Sequence, residues 1–158
     1  MEDASQNIAQ ALGAHPTFAR LSPETIQAIA SVSKMTEASP GELIVREGDE
    51  KTDLFLFVSG SANVVRESGD GSSVVLNAIT AGDCIGELAF LDGGRRSASV
   101  RAEVPCVLIM IPADALQNIA NAPAIIGDLK GALASVVVSR ARSLSDEMLA
   151  SLRKQLEI

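Results

Sequence analysis

The sequence predicts a mainly β fold with flanking helices, a sandwich or jelly-roll barrel. Three observations carry that reading. Between about residues 33 and 111, short apolar runs alternate with glycine-rich turn signals, and strands recurring at roughly 8–12-residue spacing are the mark of a sandwich or barrel. Upstream lies Ser22-Pro23-Glu24, a cap residue, a proline at the first position and an acid, which is a helix start. Downstream of Pro112, apolar residues recur at intervals of three and four, the period of an amphipathic helix.

The elements follow in order. Residues 1–32 form an N-terminal helical segment, helical from about residue 4, in which Ile26, Ile29, Ala30 and Val32 make the apolar stripe of the helix after Ser22. Residues 33–112 form the barrel. Its strands are expected at Leu43–Val45, Leu54–Val58, Ala62–Val65, Val74–Ile79, Ala98–Ala102 and Val107–Ile111, with Gly41, Gly48, Gly60, Gly82 and Ser68-Gly69-Asp70-Gly71 at the turns. Residues 113–158 are helical. A short helix starts at Pro112-Ala113-Asp114 and carries Leu116 and Ile119, and Asn121-Ala122-Pro123 breaks it. A second helix follows with Ile126, Leu129, Leu133, Val136 or Val137, and Arg140. Ser143-Leu144-Ser145-Asp146-Glu147 restarts or continues it, and Leu149, Leu152 and Leu156 extend an apolar face.

Composition excludes several classes. The 158-residue chain is 47% hydrophobic, enough for one domain with a core. Its formal net charge of −7 argues against general nucleic-acid or acidic-membrane binding, which needs a basic surface. No apolar run approaches the ~20 residues of a membrane span, and the acidic, polar start Met1-Glu2-Asp3-Ala4-Ser5-Gln6 is not a secretory signal. Cys84 and Cys106 lack metal-type spacing and a disulfide framework, so both are expected as buried thiols in a cytoplasmic protein. His15 is the sole histidine, so multi-histidine metal centres are excluded. No nucleophile elbow or Walker-type loop occurs, and no catalytic or metal-ligating residue is assigned.

The chemistry concentrates in one segment, Gly86-Glu87-Leu88-Ala89-Phe90-Leu91-Asp92-Gly93-Gly94-Arg95-Arg96-Ser97-Ala98-Ser99-Val100. Gly86 allows a sharp turn and close ligand approach. The first backbone N–H groups of the helix that follows, with Leu88 and Ala89 as donors, have no intrahelical acceptor and suit an anion. Arg96 can grip two phosphate oxygens at once, which lysine cannot. Glu87, when ionised, only accepts hydrogen bonds, and a ribose hydroxyl is a natural donor to it. One acid for sugar, one arginine for phosphate and helix amides between them describe a nucleotide site. An apolar slot for the base is expected from Val74, Leu76, Ile85 and Val64, with Cys84 nearby.

The same segment closely resembles the phosphate-binding cassette of the cyclic nucleotide-binding domain family, which includes kinase regulatory subunits, catabolite activator proteins and channel gates. The pattern Gly-Glu-Leu/Met-Ala, a variable loop and Arg-Ser/Thr/Ala-Ala-Ser/Thr-Val is met at Gly86–Ala89 and Arg96–Val100. Arg95 stands where many members have proline, and the downstream Ser97-Ala98-Ser99-Val100 register favours Arg96 as the clamp. Pro40-Gly41-Glu42-Leu43-Ile44, Glu47-Gly48-Asp49 and Val58-Ser59-Gly60 match further landmarks, so the likeness covers about residues 16–140. It implies a double-stranded β-helix barrel, with Phe18 and Leu21 packed beneath it. Glu87 would bind the ribose 2′-hydroxyl and Arg96 the cyclic phosphate, with Ser97 near phosphate and purine. Val136, Val137 or Arg140 would lie on a lid helix over the base.

The implied function is a cyclic nucleotide sensor and not an enzyme, with cAMP the first ligand and cGMP the second. It would couple binding to repacking of the C-terminal helices, signal to a downstream protein and form a homodimer through the last helix. The alternative is a ligand-free barrel serving as a scaffold. The chain ends too soon after Arg96 for the helix-turn-helix of related transcription regulators.

Overall fold

The computed structural model describes residues 2–156. Helix α1 (Glu2–Ala14), a 3₁₀ turn (Phe18–Arg20) and α2 (Pro23–Val32) precede eight strands: β1 (Lys34–Ala38), β2 (Leu43–Val45), β3 (Leu54–Ser59), β4 (Ser61–Glu67), β5 (Ser73–Thr80), β6 (Cys84–Ile85), β7 (Ser99–Ala102) and β8 (Cys106–Ile111). Helix α3 (Glu87–Asp92) interrupts the strands after β6, and α4 (Ala113–Leu116) and α5 (Ala122–Leu156) close the chain. The strands form two four-stranded antiparallel sheets, ordered β1-β8-β3-β6 and β2-β7-β4-β5. Apart from the β4–β5 hairpin, paired strands are distant in sequence, which is jelly-roll winding.

The two sheets differ in what covers them. On β3 and β8 alternate residues point to opposite faces. Leu54, Leu56, Ile109 and Ile111 join the cluster under the helices, with Leu12, Phe18, Ile29, Leu129 and Leu133. Phe57, Cys106 and Leu108 turn the other way and fill the barrel interior with Ile79, Ile85 and Val100. Burial on both faces is why these strands read as continuous apolar runs. β5, at the edge of the second sheet, is exposed along most of its length.

The start at Ser22 holds: its hydroxyl accepts from Thr25 N–H (3.2 Å), with Pro23 in the first turn. The N-terminal helical segment is broken between α1 and α2 by the stretch around His15-Pro16-Thr17. There Nδ1 of His15 accepts from Thr17 N–H (3.2 Å), and its Nε2 is left to donate to the carbonyl of Gly82 in the turn before β6. The single histidine therefore ties the N-terminal segment to the barrel. Cys84 and Cys106 are free and buried, as expected.

Helix α5 is continuous over 35 residues, so Ser143 does not restart it. Its first half is anchored by Ile125, Leu129, Ala132 and Leu133. Val138, Leu144, Met148, Leu149, Leu152 and Leu156 are all more than half exposed. The expectation that nothing apolar reaches membrane length needs correcting: an 18-residue window of α5 has mean hydropathy 1.4 and passes on length and composition. Asp128 and Lys130 interrupt the run and hide it from a residue-by-residue count. Core helices of water-soluble proteins meet the same criterion, and this one begins against the barrel.

Candidate functional site

The sequence turns sharply after β6 because Gly86 adopts φ +88°, a left-handed conformation that L side chains rarely adopt. This glycine caps α3. The first helical hydrogen bond runs from Phe90 N–H to Gly86 O (3.1 Å), so the N–H groups of Glu87, Leu88 and Ala89 precede the ladder and face outward. A Cβ at Gly86 would overlap Nη1 of Arg96 and lie 2.7 Å from the carbonyl oxygen of Asp53. The glycine is there because the arginine lies directly against the backbone.

Arg96 is only 6% exposed. Its Nη2 donates to Asp53 O (2.7 Å) and its Nη1 to Gly86 O at 3.5 Å. A guanidinium has five N–H donors, so these two contacts orient the group and leave others for a ligand. Burial lowers its pKa, and Asp53, Asp49 and Glu87 oppose that shift. No carboxylate closes an ion pair with it among the described residues. A buried cation held only by carbonyls is a strong anion receptor, because a desolvated charge gains most from an opposite charge. Arg95, by contrast, is on the surface, paired with Glu50 (2.7 Å) and donating to Gly48 O (3.1 Å).

Arg96, Glu87, Gly86, Leu88, Ala89 and Ser97 all line one cavity of about 200 Å³. Its apolar wall comes from Val45, Val64, Ile79, Ile85 and Val100, with Cys84 among them. Burial, aided by nearby Glu87, pushes the Cys84 thiol up to about 12, so this cysteine is an apolar wall element and not a nucleophile. Arg140 reaches the cavity from α5, its Nη1 donating to Glu87 Oε1 at 2.9 Å. The α3–α5 contact is reinforced by Lys130, whose Nζ lies 5.9 Å from the Phe90 ring centre. A larger hollow of about 580 Å³ lies alongside, but Asp49, Glu50, Asp53 and Asp114 crowd its walls, an unfavourable field for a phosphate.

The expected base slot is partly redrawn. Val64, Ile85 and Cys84 line the cavity; Val74 and Leu76 do not, and both are more than half exposed. For Leu76 the reason is a β-bulge; Val74, opposite Arg66, lies beyond it toward the β4–β5 turn. Val65 pairs with Val75 but Val64 pairs with Asn77, leaving Leu76 as an extra residue on β5. A one-residue slip reverses which side chains face inward, so Asn77 and Ile79 take the inward places. Val136 and Val137 are half-buried on α5 but do not reach the cavity; of the three lid candidates only Arg140 does. Sequence reasoning passed over Val45, Asn77, Ile79, Ala98 and Val100. Val45, Ile79 and Val100 already stood in expected strands, and pairing register alone turns them toward the site.

The profile of the cyclic nucleotide-binding domain family matches residues 35–122, from β1 to the start of α5. The chain belongs to that family. It is 34% identical over 87 residues to the cAMP-dependent protein kinase regulatory subunit of Mycosarcoma maydis, covering 55% of this chain and 16% of that protein. It is 30% identical over 123 residues to the acetyltransferase Pat of Mycolicibacterium smegmatis, covering 78% of this chain and 37% of that one. The chain thus spans well under half the length of these curated relatives. Among solved structures, a cyclic nucleotide-binding domain from Methylobacillus flagellatus superposes with a TM-score of 0.75 at 26% identity, covering 95% of this chain and 85% of that one. The family's role is regulatory nucleotide binding, and the jelly-roll barrel built here is its fold.

Proposed function

We propose that this chain is a cytoplasmic sensor of a cyclic purine nucleotide, cAMP first and cGMP second, which binds without turning its ligand over. One observation carries the reading: the buried, carboxylate-free Arg96 guanidinium shares a cavity with the open α3 amides and with Glu87. The cyclic phosphate would sit between Arg96 and the amides. The ribose 2′-hydroxyl would donate to Glu87, whose Oε1 is engaged by Arg140. A relative named for cAMP supports the choice of ligand.

The output would run through α5. Arg140 connects the sugar-binding acid to the helix that leaves the barrel, so a ligand that engages Glu87 biases the position of α5. The pair is half-exposed on the arginine side and contributes on the order of 1 kcal/mol or less. Shifting a two-state equilibrium from 1:99 to 99:1 takes about 5.5 kcal/mol of differential affinity. Arg140 is therefore one contact in such a switch, and phosphate and base contacts must supply the rest. The apolar stripe of the α5 tail suits a second copy of the chain and a downstream protein. Sedimentation of the full chain and of a chain cut after Arg142 tests the dimer, and equal monomeric masses would refute it.

Calorimetric titration with cAMP and cGMP, paired with hydrogen exchange of α5, tests the reading as a whole. We expect saturable binding and altered protection over residues 122–156. The absence of heat and of a thermal shift with either nucleotide at saturating concentration would refute it.

A further inference from the structure

His15 is the only histidine of the chain, and it bridges segments 67 residues apart. Its Nδ1 accepts from Thr17 N–H at 3.2 Å, and its Nε2 donates to the carbonyl of Gly82. Only one state of the ring does both. The Thr17 contact needs a bare Nδ1 and the Gly82 contact needs a proton on Nε2, so the imidazole is neutral. Each contact sits at a sensitive place. Thr17 is 7% exposed, so its N–H has little water to replace the ring. Gly82 belongs to the turn that leads directly into Cys84 and Ile85 of the cavity wall. The ring also stands edge-on to Phe18, with centroids 5.4 Å apart, and Phe18 is buried in the cluster that holds Leu129 and Leu133 of α5.

A proton on Nδ1 breaks this arrangement. Two N–H donors then face each other at Thr17. Keeping the Gly82 bond leaves the Thr17 N–H without an acceptor, and turning the ring away gives up Gly82. No anion holds the charged ring in place. Helix α1 is uncharged from Ala4 to Ala14. The charged groups on the other elements around the ring are Arg20 on the 3₁₀ turn, Glu24 on α2, Asp83 beside Gly82, and Asp128 and Lys130 on α5. Among the described residues no acid pairs with the imidazole, and Asp83 Oδ2 already accepts from Thr80 N–H at 2.9 Å.

We propose that His15 is a proton-operated latch between the N-terminal helical segment and the barrel, closed by the neutral ring and opened by protonation. Imidazole is the side chain that changes charge near neutral pH. The latch therefore closes as pH rises and opens as pH falls. Leaving a buried donor without its acceptor shifts the closed-to-open ratio by about 5- to 150-fold. Opening frees α1 from the turn before β6, and the Phe18 contact carries the change to α5. The latch stands apart from the nucleotide reading.

The test follows the isotope-labelled full chain by NMR from about pH 8 to about pH 5.5, above the range in which ordinary carboxylates titrate. With one histidine, a single set of imidazole signals reports the proton. We expect the amides of Thr17 and Gly82 to move with the same midpoint as the ring, the order parameters of α1 to fall, and the melting temperature to drop by several degrees. His15→Gln keeps a polar side chain that takes up no proton, so it should lose this pH dependence, although the α-amine still titrates in both chains. A ring that titrates while Thr17, Gly82 and α1 stay unmoved overturns the proposal. So does a His15→Gln chain that melts with the wild-type pH dependence. If that variant does not fold, the wild-type titration alone decides. No nucleotide enters the experiment, so neither result touches the reading of the cavity.

Discussion

Replacing Arg96 with alanine removes the one buried cation of the site. The guanidinium is 6% exposed and is held by Asp53 O at 2.7 Å and Gly86 O at 3.5 Å. A phosphate bound against it would complete a charge pair largely screened from water. Truncating one member of a buried, hydrogen-bonded charge pair costs about 2–5 kcal/mol, which is about 30-fold to several thousand-fold in Kd. Arg95→Ala is the internal comparison. Arg95 and its partner Glu50 are both more than two-thirds exposed, and such pairs contribute at most about 1 kcal/mol, so its loss should change cAMP affinity less than about fivefold. Stability of Arg96→Ala has opposing terms: two carbonyl acceptors lose a donor, and an unpaired buried charge is relieved. A thermal melt alongside the titration separates misfolding from lost binding. Equal losses of affinity for Arg95→Ala and Arg96→Ala, with both proteins folded, would refute the assignment of the phosphate clamp.

Glu87→Gln should narrow the gap between cAMP and 2′-deoxy-cAMP. A hydrogen bond to a charged acceptor contributes about 1.5–3 kcal/mol, so the wild type should prefer cAMP by at least tenfold and the variant by much less, as read by competition titration. Gly86→Ala places a Cβ against Arg96 and the Asp53 carbonyl at φ +88°. A destabilisation of about 1–3 kcal/mol and a melting temperature several degrees lower are expected, with cAMP binding impaired. Cys84, with its thiol pushed up to about 12 by burial, should resist iodoacetamide at pH 8 in the native protein and react once guanidinium unfolds it. Rapid native-state alkylation of Cys84, located by mass spectrometry, would contradict its burial.

Much of the barrel could be read from the chain. Strands β3, β4, β5, β7 and β8 fall within one or two residues of their expected limits, because an apolar run bounded by glycine turns is a local signal. β1, Lys34–Ala38, carries no such signal; its residues are mostly polar and exposed, and pairing with β8 makes it a strand. The helix start at Ser22 is a local signal within the N-terminal helical segment, but the His15 contact that ties this segment to the barrel reaches across 67 residues to Gly82.

The sequence by itself determined the segment proposed to bind the nucleotide. Gly86, Glu87 and Arg96 lie within eleven consecutive residues, and turn, helix start and strand are all encoded locally there. The tertiary structure alone decided which side chains surround that segment. Asp53 and Gly86 carbonyls hold Arg96, Arg140 arrives from a helix 53 residues beyond Glu87, and a single extra residue at Leu76 exchanges an aliphatic wall for the Asn77 amide. Strand register and helix placement are set by pairing and packing between segments far apart in the chain, and the identities of neighbouring residues do not carry that information.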